Sequence, residues 1–239
     1  MNLNDFNIIN FFYIIKNKFE LYSAKERDEY ELNLGNIKFK LKFPQKKIIS
    51  YSHLLRSKGK WEPHCTTAIK SLLNENDNVL QLGTAEGYFS CLMKKMQNEK
   101  VFFYGIEKSI EGYESIKKNF LTNKFKNYEL INKIISNKSL GDEITFNDLL
   151  KRISKKVNFL FADIEGAEQF VFEDIIKYNI GIDKIVIGFH LIDEISSPER
   201  SKERYKYFYD REKFDKFMIE LSKKYYSKID IDNLILIKK

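Results

Sequence analysis

The sequence predicts an α/β domain built as a doubly wound, mostly parallel sheet with helices on both faces. Three observations predict it. From residue 61 onward, short apolar runs alternate with amphipathic segments of helical length, the rhythm of repeated strand–helix units joined by right-handed crossovers. The short runs are continuously apolar rather than alternating, as strands buried on both faces must be. The first of them leads into a turn containing Gly83 and Gly87, at the place where such sheets bind ligands.

Taken in order, residues 2–25 have helical length, with Phe6, Ile9, Tyr13, Phe19 and Tyr22 near one face. Residues 30–43 alternate apolar and polar about Gly35-Asn36, which reads as a β-hairpin. Residues 44–60 are polar and basic. We therefore expect residues 1–60 to form a helix-plus-hairpin extension capping a main domain at 61–239. Pro63 is placed to open a helix to about residue 73. Strands are expected at 78–82, 101–106, 128–135, 157–162 and 184–189. Helices are expected at 88–96, 109–121, 145–154 and 167–178, the second capped by Ser109. Residues 191–210 break the rhythm with charge and Ser196-Ser197-Pro198, and we expect a mobile flap over the cleft. A helix at 211–224 and two strands at 226–231 and 234–237 follow. The strands should pair as an antiparallel hairpin across Asp232 and Asn233.

Composition bounds the function classes. At 239 residues and 43% hydrophobic, the chain can build a substantial core. No apolar run reaches the length of a membrane span. The first residues lack the basic and small-residue signals of a secretory leader. Cys65 and Cys91 suit neither a disulfide framework nor zinc, and are expected as free thiols in a reducing, cytoplasmic setting. The net charge of +7 accompanies abundant Lys, Asn and Ile, a coding bias that makes Lys a default surface residue. A nucleic-acid partner is not expected on charge alone. Oligomeric state has no signature here.

Three segments carry the chemistry. The first is Gln81-Leu82-Gly83-Thr84-Ala85-Glu86-Gly87-Tyr88-Phe89, a strand, a turn and a helix start. Its glycines are spaced Gly-x-x-x-Gly and not as the Gly-x-Gly-x-x-Gly of a pyrophosphate loop. A donor without phosphates, such as S-adenosylmethionine (SAM), fits this turn better than a nicotinamide dinucleotide. The second is Glu107, followed by Lys108, at the end of the next strand. An acid there can accept hydrogen bonds from both ribose hydroxyls of an adenosine, or it can simply cap the helix beginning at Ser109. The third is Asp163-Ile164-Glu165-Gly166-Ala167-Glu168 after the fourth strand, with His190 at the end of the fifth.

Together these segments resemble the FkbM family of SAM-dependent methyltransferases. That family's Asp-x-Glu-Gly-x-Glu motif is matched by Asp163, Glu165, Gly166 and Glu168, and Trp61-Glu62-Pro63 looks like its short motif before the first core helix. The resemblance runs from about Trp61 to the end, and the terminal hairpin suits the methyltransferase form of the fold. It departs where the family's first-motif Asp is Gln81 and where Gly188 replaces the Glu of a Glu-x-His pair. The resemblance implies a SAM-dependent O-methyltransferase acting on a hydroxyl of a sugar, glycan or other small molecule. It implies donor contacts from Glu62, Gln81, Gly83, Thr84, Ala85, Gly87, Tyr88, Glu107, Lys108 and Asp163. Asp163 and His190 are the candidates to remove the acceptor's proton, with Glu165 in the same group. Glu165 and Glu168 are expected to orient the loop, or to hold a Mg²⁺ with Asp163 that is not essential. Tyr205, Tyr207, Phe208 and Tyr209 are candidates to stack on a sugar ring or to pack on the sheet. An RNA methyltransferase, and a non-catalytic binding protein that keeps the fold, are the competing readings.

Overall fold

The computed structural model describes residues 29–42, 61–191, 208–230 and 233–239. Its elements are β1 (Tyr30–Leu34), β2 (Ile37–Leu41), α1 (Pro63–Leu72), β3 (Asn78–Leu82), α2 (Tyr88–Met96), β4 (Phe102–Glu107), α3 (Ile110–Thr122), β5 (Tyr128–Asn132), β6 (Ile134–Ile135), β7 (Glu143–Ile144), α4 (Phe146–Arg152), β8 (Phe159–Ala162), α5 (Glu168–Lys177), β9 (Lys184–Gly188), α6 (Arg211–Ser222), β10 (Tyr225–Asp230) and β11 (Asn233–Lys238). Seven strands form one sheet in the order β10-β11-β9-β8-β3-β4-β5. β3 pairs in parallel with β4 on one side and β8 on the other. β11 runs antiparallel between β9 and β10. The strand order reverses between β4 and β8, so the cleft opens beyond the carboxyl end of β3.

The continuous apolar runs are explained by burial on both faces. Leu80, Tyr104, Leu160 and Ile185 enter one core with α4, α5 and α6. Their neighbours Val79, Phe103, Phe159 and Val186 enter a second core with α1, α2 and α3. All four residues of β8 are fully buried, and Phe159, Leu160 and Phe161 each contribute roughly 1.5–3 kcal/mol. Ser109 and Thr145 accept hydrogen bonds from the amides of Gly112 and Asp148 and so start α3 and α4.

The expected N-terminal hairpin is present, turning between Leu34 and Ile37 with Gly35 at φ +70°. Leu32, Phe39 and Leu41 join the second core. α3 holds the free edge of β2 through side-chain amides. Lys40 N–H donates to Asn123 Oδ1 and Asn123 Nδ2 donates to the Lys40 carbonyl, at 2.9 and 2.7 Å. Asn119 makes the same pair of bonds to Lys42. Below the sheet, the buried Lys94 donates to the carbonyls of Glu99, Val101 and Lys126.

The structure corrects two boundaries. Residues 128–135 are not one strand. β5 stops at Asn132, whose side-chain amide donates to the carbonyls of Glu107 and Lys108. The chain then leaves the sheet, and β6 pairs with β7 instead. In the terminal hairpin Asp230 pairs with Asn233, so Asn233 is a strand residue and not part of the turn. It is buried and accepts the Cys65 S–H at 2.9 Å. The helix expected at 2–25, the connection at 44–60 and residues 192–207 of the expected flap lie outside the described residues.

Candidate functional site

The first wall of the site is the turn after β3. The amides of Gly83 and Thr84 both donate to the Ile106 carbonyl, at 2.9 and 3.2 Å. Gln81, which is buried, donates from Nε2 to the Gly83 carbonyl and accepts from Ser90 Oγ. An Asp at this position could not make that donation, so Gln81 here ties the turn to itself. Ala85 takes a positive φ of 45° and donates its N–H to Glu107 Oε2 at 2.8 Å. Glu107 Oε1 accepts from Ser109 N–H at 2.9 Å. Glu107 therefore holds the first turn and the start of α3 at once. Each oxygen keeps a second lone pair for a ligand hydroxyl.

Both glycines serve packing between loops. A Cβ on Gly83, whose φ is +76°, would lie 2.1 Å from the Asp163 carbonyl oxygen. A Cβ on Gly87, whose φ is +91°, would lie 2.9 Å from Ile116 Cγ1. Gly83 borders the cavity described below, whereas Gly87 is not on its wall. The lack of a side chain at Gly87 lets α2 start close against α3.

The opposite wall is the turn after β8. Asp163 N–H donates to the Leu82 carbonyl at 3.1 Å, locking this turn to the first. Glu165 and Gly166 take positive φ values of 54° and 92°. Glu168, fully buried at the start of α5, accepts from Ile164 N–H and Gly166 N–H, both at 2.7 Å. It is the anchor that shapes the turn, as expected of an orienting residue. His190, just beyond β9, reaches over this turn. Its Nδ1 is 3.2 Å from Glu168 Oε1, off the line of an ideal hydrogen bond, and its Nε2 is 3.6 Å from Asp163 Oδ1 and 3.9 Å from Glu165 Oε2.

These contacts set the protonation states. Burial pushes the Asp163 carboxyl up to about 7, against the pull of His190 and with Glu62, Glu168 and Glu165 adding to the rise. Some 36% of its side chain still opens to the cleft, so water there screens part of the effect and the upward direction is the firm result. Burial alone would depress the His190 imidazole. Glu168, then Asp163 and Glu165, outweigh it and raise His190 to about 9. An imidazole raised in this way favours its protonated form at neutral pH, which weighs against the base role expected of it.

Ligating atoms of Asp163, Glu168 and His190 fall within 4.8 Å of one another. Both Glu168 oxygens already accept backbone N–H bonds, and the imidazole stands with one nitrogen toward Glu168 and the other toward Asp163 and Glu165. That environment suits an imidazolium with two N–H donors.

A cavity of about 400 Å³ runs between the two walls, within the range of small-molecule sites. Glu62, Gln81, Gly83, Thr84, Ala85, Tyr88, Glu107, Lys108, Asp163 and Glu165 all border it. His190 does not; it sits behind Asp163. Sequence reasoning missed Lys133, Ile134 and Ile135 at the end near Glu107. They follow β5, and the rule that ligands sit beyond carboxyl ends would have pointed to them. The Thr84 hydroxyl is buried with no partner among the described residues, an acceptor and donor available to a ligand. Tyr209, expected either to stack on a sugar ring or to pack on the sheet, is a core residue against Phe214 and Phe217. Phe208 lies 5.2 Å from the His190 ring. Tyr205 and Tyr207 are outside the described residues.

No protein-family model matches the chain, and no curated protein matches it in sequence. Solved structures do match. A Podospora anserina methyltransferase bound to SAH aligns with a TM-score of 0.53 at 11% identity, covering 93% of this chain and 95% of the other. The fold is that of the class I methyltransferases. A Staphylococcus aureus protein provisionally described as a caffeoyl-CoA O-methyltransferase aligns at TM-score 0.54 and 19% identity, covering 82% and 98%. A Clostridium thermocellum protein provisionally described as an rRNA methylase aligns at 0.51 and 13%, covering 74% and 94%. Acceptors differ among proteins sharing the class I methyltransferase fold, so the acceptor must be argued from the site.

Proposed function

We propose that this chain is a SAM-dependent methyltransferase whose acceptor is a hydroxyl oxygen of a sugar, glycan or other small molecule. The observation that carries this reading is the single cavity bordered by Glu107 at one end and Asp163 at the other. In this reading the adenosine lies over the first turn. Its ribose hydroxyls donate to the free lone pairs of Glu107, its base lies among Ile106, Ile134 and Ile135, and the Thr84 hydroxyl meets a polar atom of the ligand. The bound donor supplies an activated methyl group. The residues of this chain orient the acceptor behind that methyl, exclude water, and take the hydroxyl proton at Asp163.

Two features favour oxygen in a small acceptor. The turn after Asp163 reads Ile164-Glu165, without the proline and aromatic that would stack on a nucleobase. Among the described residues, the cavity wall carries more carboxyl groups, Glu62, Glu86, Glu107, Asp163 and Glu165, than ammonium groups, Lys108 and Lys133, a balance that favours a neutral acceptor over a polyanion. The resemblance of the Asp163–Glu168 motif to FkbM enzymes supports the same class. Calorimetric titration with SAM tests the cofactor, and no heat at ligand concentrations near 1 mM rejects it. Transfer from methyl-labelled SAM to sugar and glycan panels, with total RNA as a parallel acceptor, tests the class. Label in RNA alone would reject the hydroxylated small molecule.

A further inference from the structure

We infer that Glu168, His190 and Asp163 form a charge chain in which a buried anchored carboxylate fixes an imidazolium, and the imidazolium positions Asp163 and favours its ionised form at the cavity wall. The chain itself is independent of the proposed activity; its catalytic consequence rests on that reading.

Glu168 begins the chain because it cannot move. It is fully buried and both oxygens are taken by backbone amides on the same turn. A carboxylate so placed is costly without a cation. Among the described residues, His190 is the only cation within 4.0 Å of either Glu168 or Asp163. The ring is held from two elements: Glu168 on α5 faces Nδ1, while Asp163 and Glu165 on the turn after β8 face Nε2. Phe208 lies beside it. The groups facing Asp163 are Glu62 and the Cys65 thiol from the α1 side, Glu165 and Glu168 from its own turn, and His190 from β9. Three of these are carboxylates that work against ionisation of Asp163, and among the described residues His190 is the one that works for it.

His190 is absent from the cavity wall, so it acts through Asp163. It is a positioning residue, not the base. In the transfer, the acceptor O–H bond breaks and its proton goes to Asp163. The O–C bond forms, the C–S bond of the donor breaks, and the electron pair stays on sulfur. His190 gains and loses nothing in that step.

The chain has three histidines, so imidazole nitrogen spectra of ¹⁵N-histidine-labelled protein are simple, and His190→Gln assigns the third. Both His190 nitrogens should be protonated through neutral pH, with a midpoint at least about one pH unit above the ordinary value near 6.5. Asp163→Asn and Glu168→Gln should each lower that midpoint. In His190→Gln the Asp163 ¹³Cγ titration should move to higher pH, which a merely structural histidine would not cause. If Glu168→Gln loosens the turn, the Asp163→Asn arm decides. A neutral His190 at pH 7, or loss of its signal on adding stoichiometric Mn²⁺, overturns the chain. Failure of the activity reading would appear instead as absent SAM heat with these titrations intact.

Discussion

Gly83→Ala probes the lock between the two turns that border the cavity. The added Cβ would sit 2.1 Å from the Asp163 carbonyl oxygen and 2.9 Å from Ile164 Cγ2. The first of these is backbone, and Asp163 N–H is itself bonded to Leu82, so no side-chain rotation relieves the clash. The positive φ of 76° adds about 1–2 kcal/mol for an L residue. Overpacking adds about 1–3 kcal/mol. The stiffer unfolded chain returns about 0.4–1 kcal/mol. The expected net loss is about 1–4.5 kcal/mol, read from urea unfolding at unchanged slope. Gly35→Ala is the matched control. Its φ is +70° but no described residue lies within 4 Å of the added Cβ, so only the backbone part of the loss, about 1 kcal/mol, should appear. Equal losses in the two variants, or less than about 0.5 kcal/mol for Gly83→Ala, would refute the idea that a direct contact locks the turns.

Glu107→Ala should weaken SAM binding by about 1.5–3 kcal/mol if it accepts from two ribose hydroxyls; an unchanged calorimetric affinity rejects that placement. Asp163→Asn should leave SAM binding in place and cut methyl transfer by about 10²–10⁴-fold; a wild-type rate would make Asp163 structural. The same variant has a stability signature. A carboxyl raised to about 7 in the fold binds more protons folded than unfolded, so its contribution is present below about pH 4 and is lost as pH rises through 7. Asp163→Asn should therefore raise the melting temperature at pH 8 and leave it nearly unchanged at pH 4, and a uniform shift would contradict the assignment. Lys94→Met keeps the packing of the stem but strands three carbonyls that now accept from Nζ. It should cost about 2–4 kcal/mol in denaturant unfolding, and a neutral result would mean that water replaces the ammonium.

The legible parts of this molecule are those decided by neighbours in the chain. β8 is apolar throughout, and β3 and β9 carry apolar side chains to both faces, because both faces are covered, and Ser109 caps α3 by reaching Gly112, three residues on. The parts that were not legible are decided by distant partners. Ile134 and Ile135 prolong an apolar run, and only the reach of Asn132 to the carbonyls after β4 shows why the strand ends before them. Gly83 invites a ligand reading from its motif, yet the atom that forbids a side chain there belongs to Asp163. His190 could be placed at the cleft from its strand, but its exclusion from the cavity depends on where Glu168 holds the ring.

The acidic residues expose a deeper ambiguity. A carboxylate that accepts backbone amides at a turn and one that accepts ligand hydroxyls require the same residue type at the same position. Glu107 does the first for Ala85 and Ser109, and the proposed reading asks it to do the second as well. Glu107→Ala would then lower affinity partly by loosening the turn. Two measurements separate the parts. Unfolding reports the lost turn bonds whether or not SAM is present. A SAM analogue lacking both ribose hydroxyls should bind wild type and Glu107→Ala with equal affinity if the hydroxyls carry the contact. It should still favour wild type if Glu107 acts only by shaping the turn.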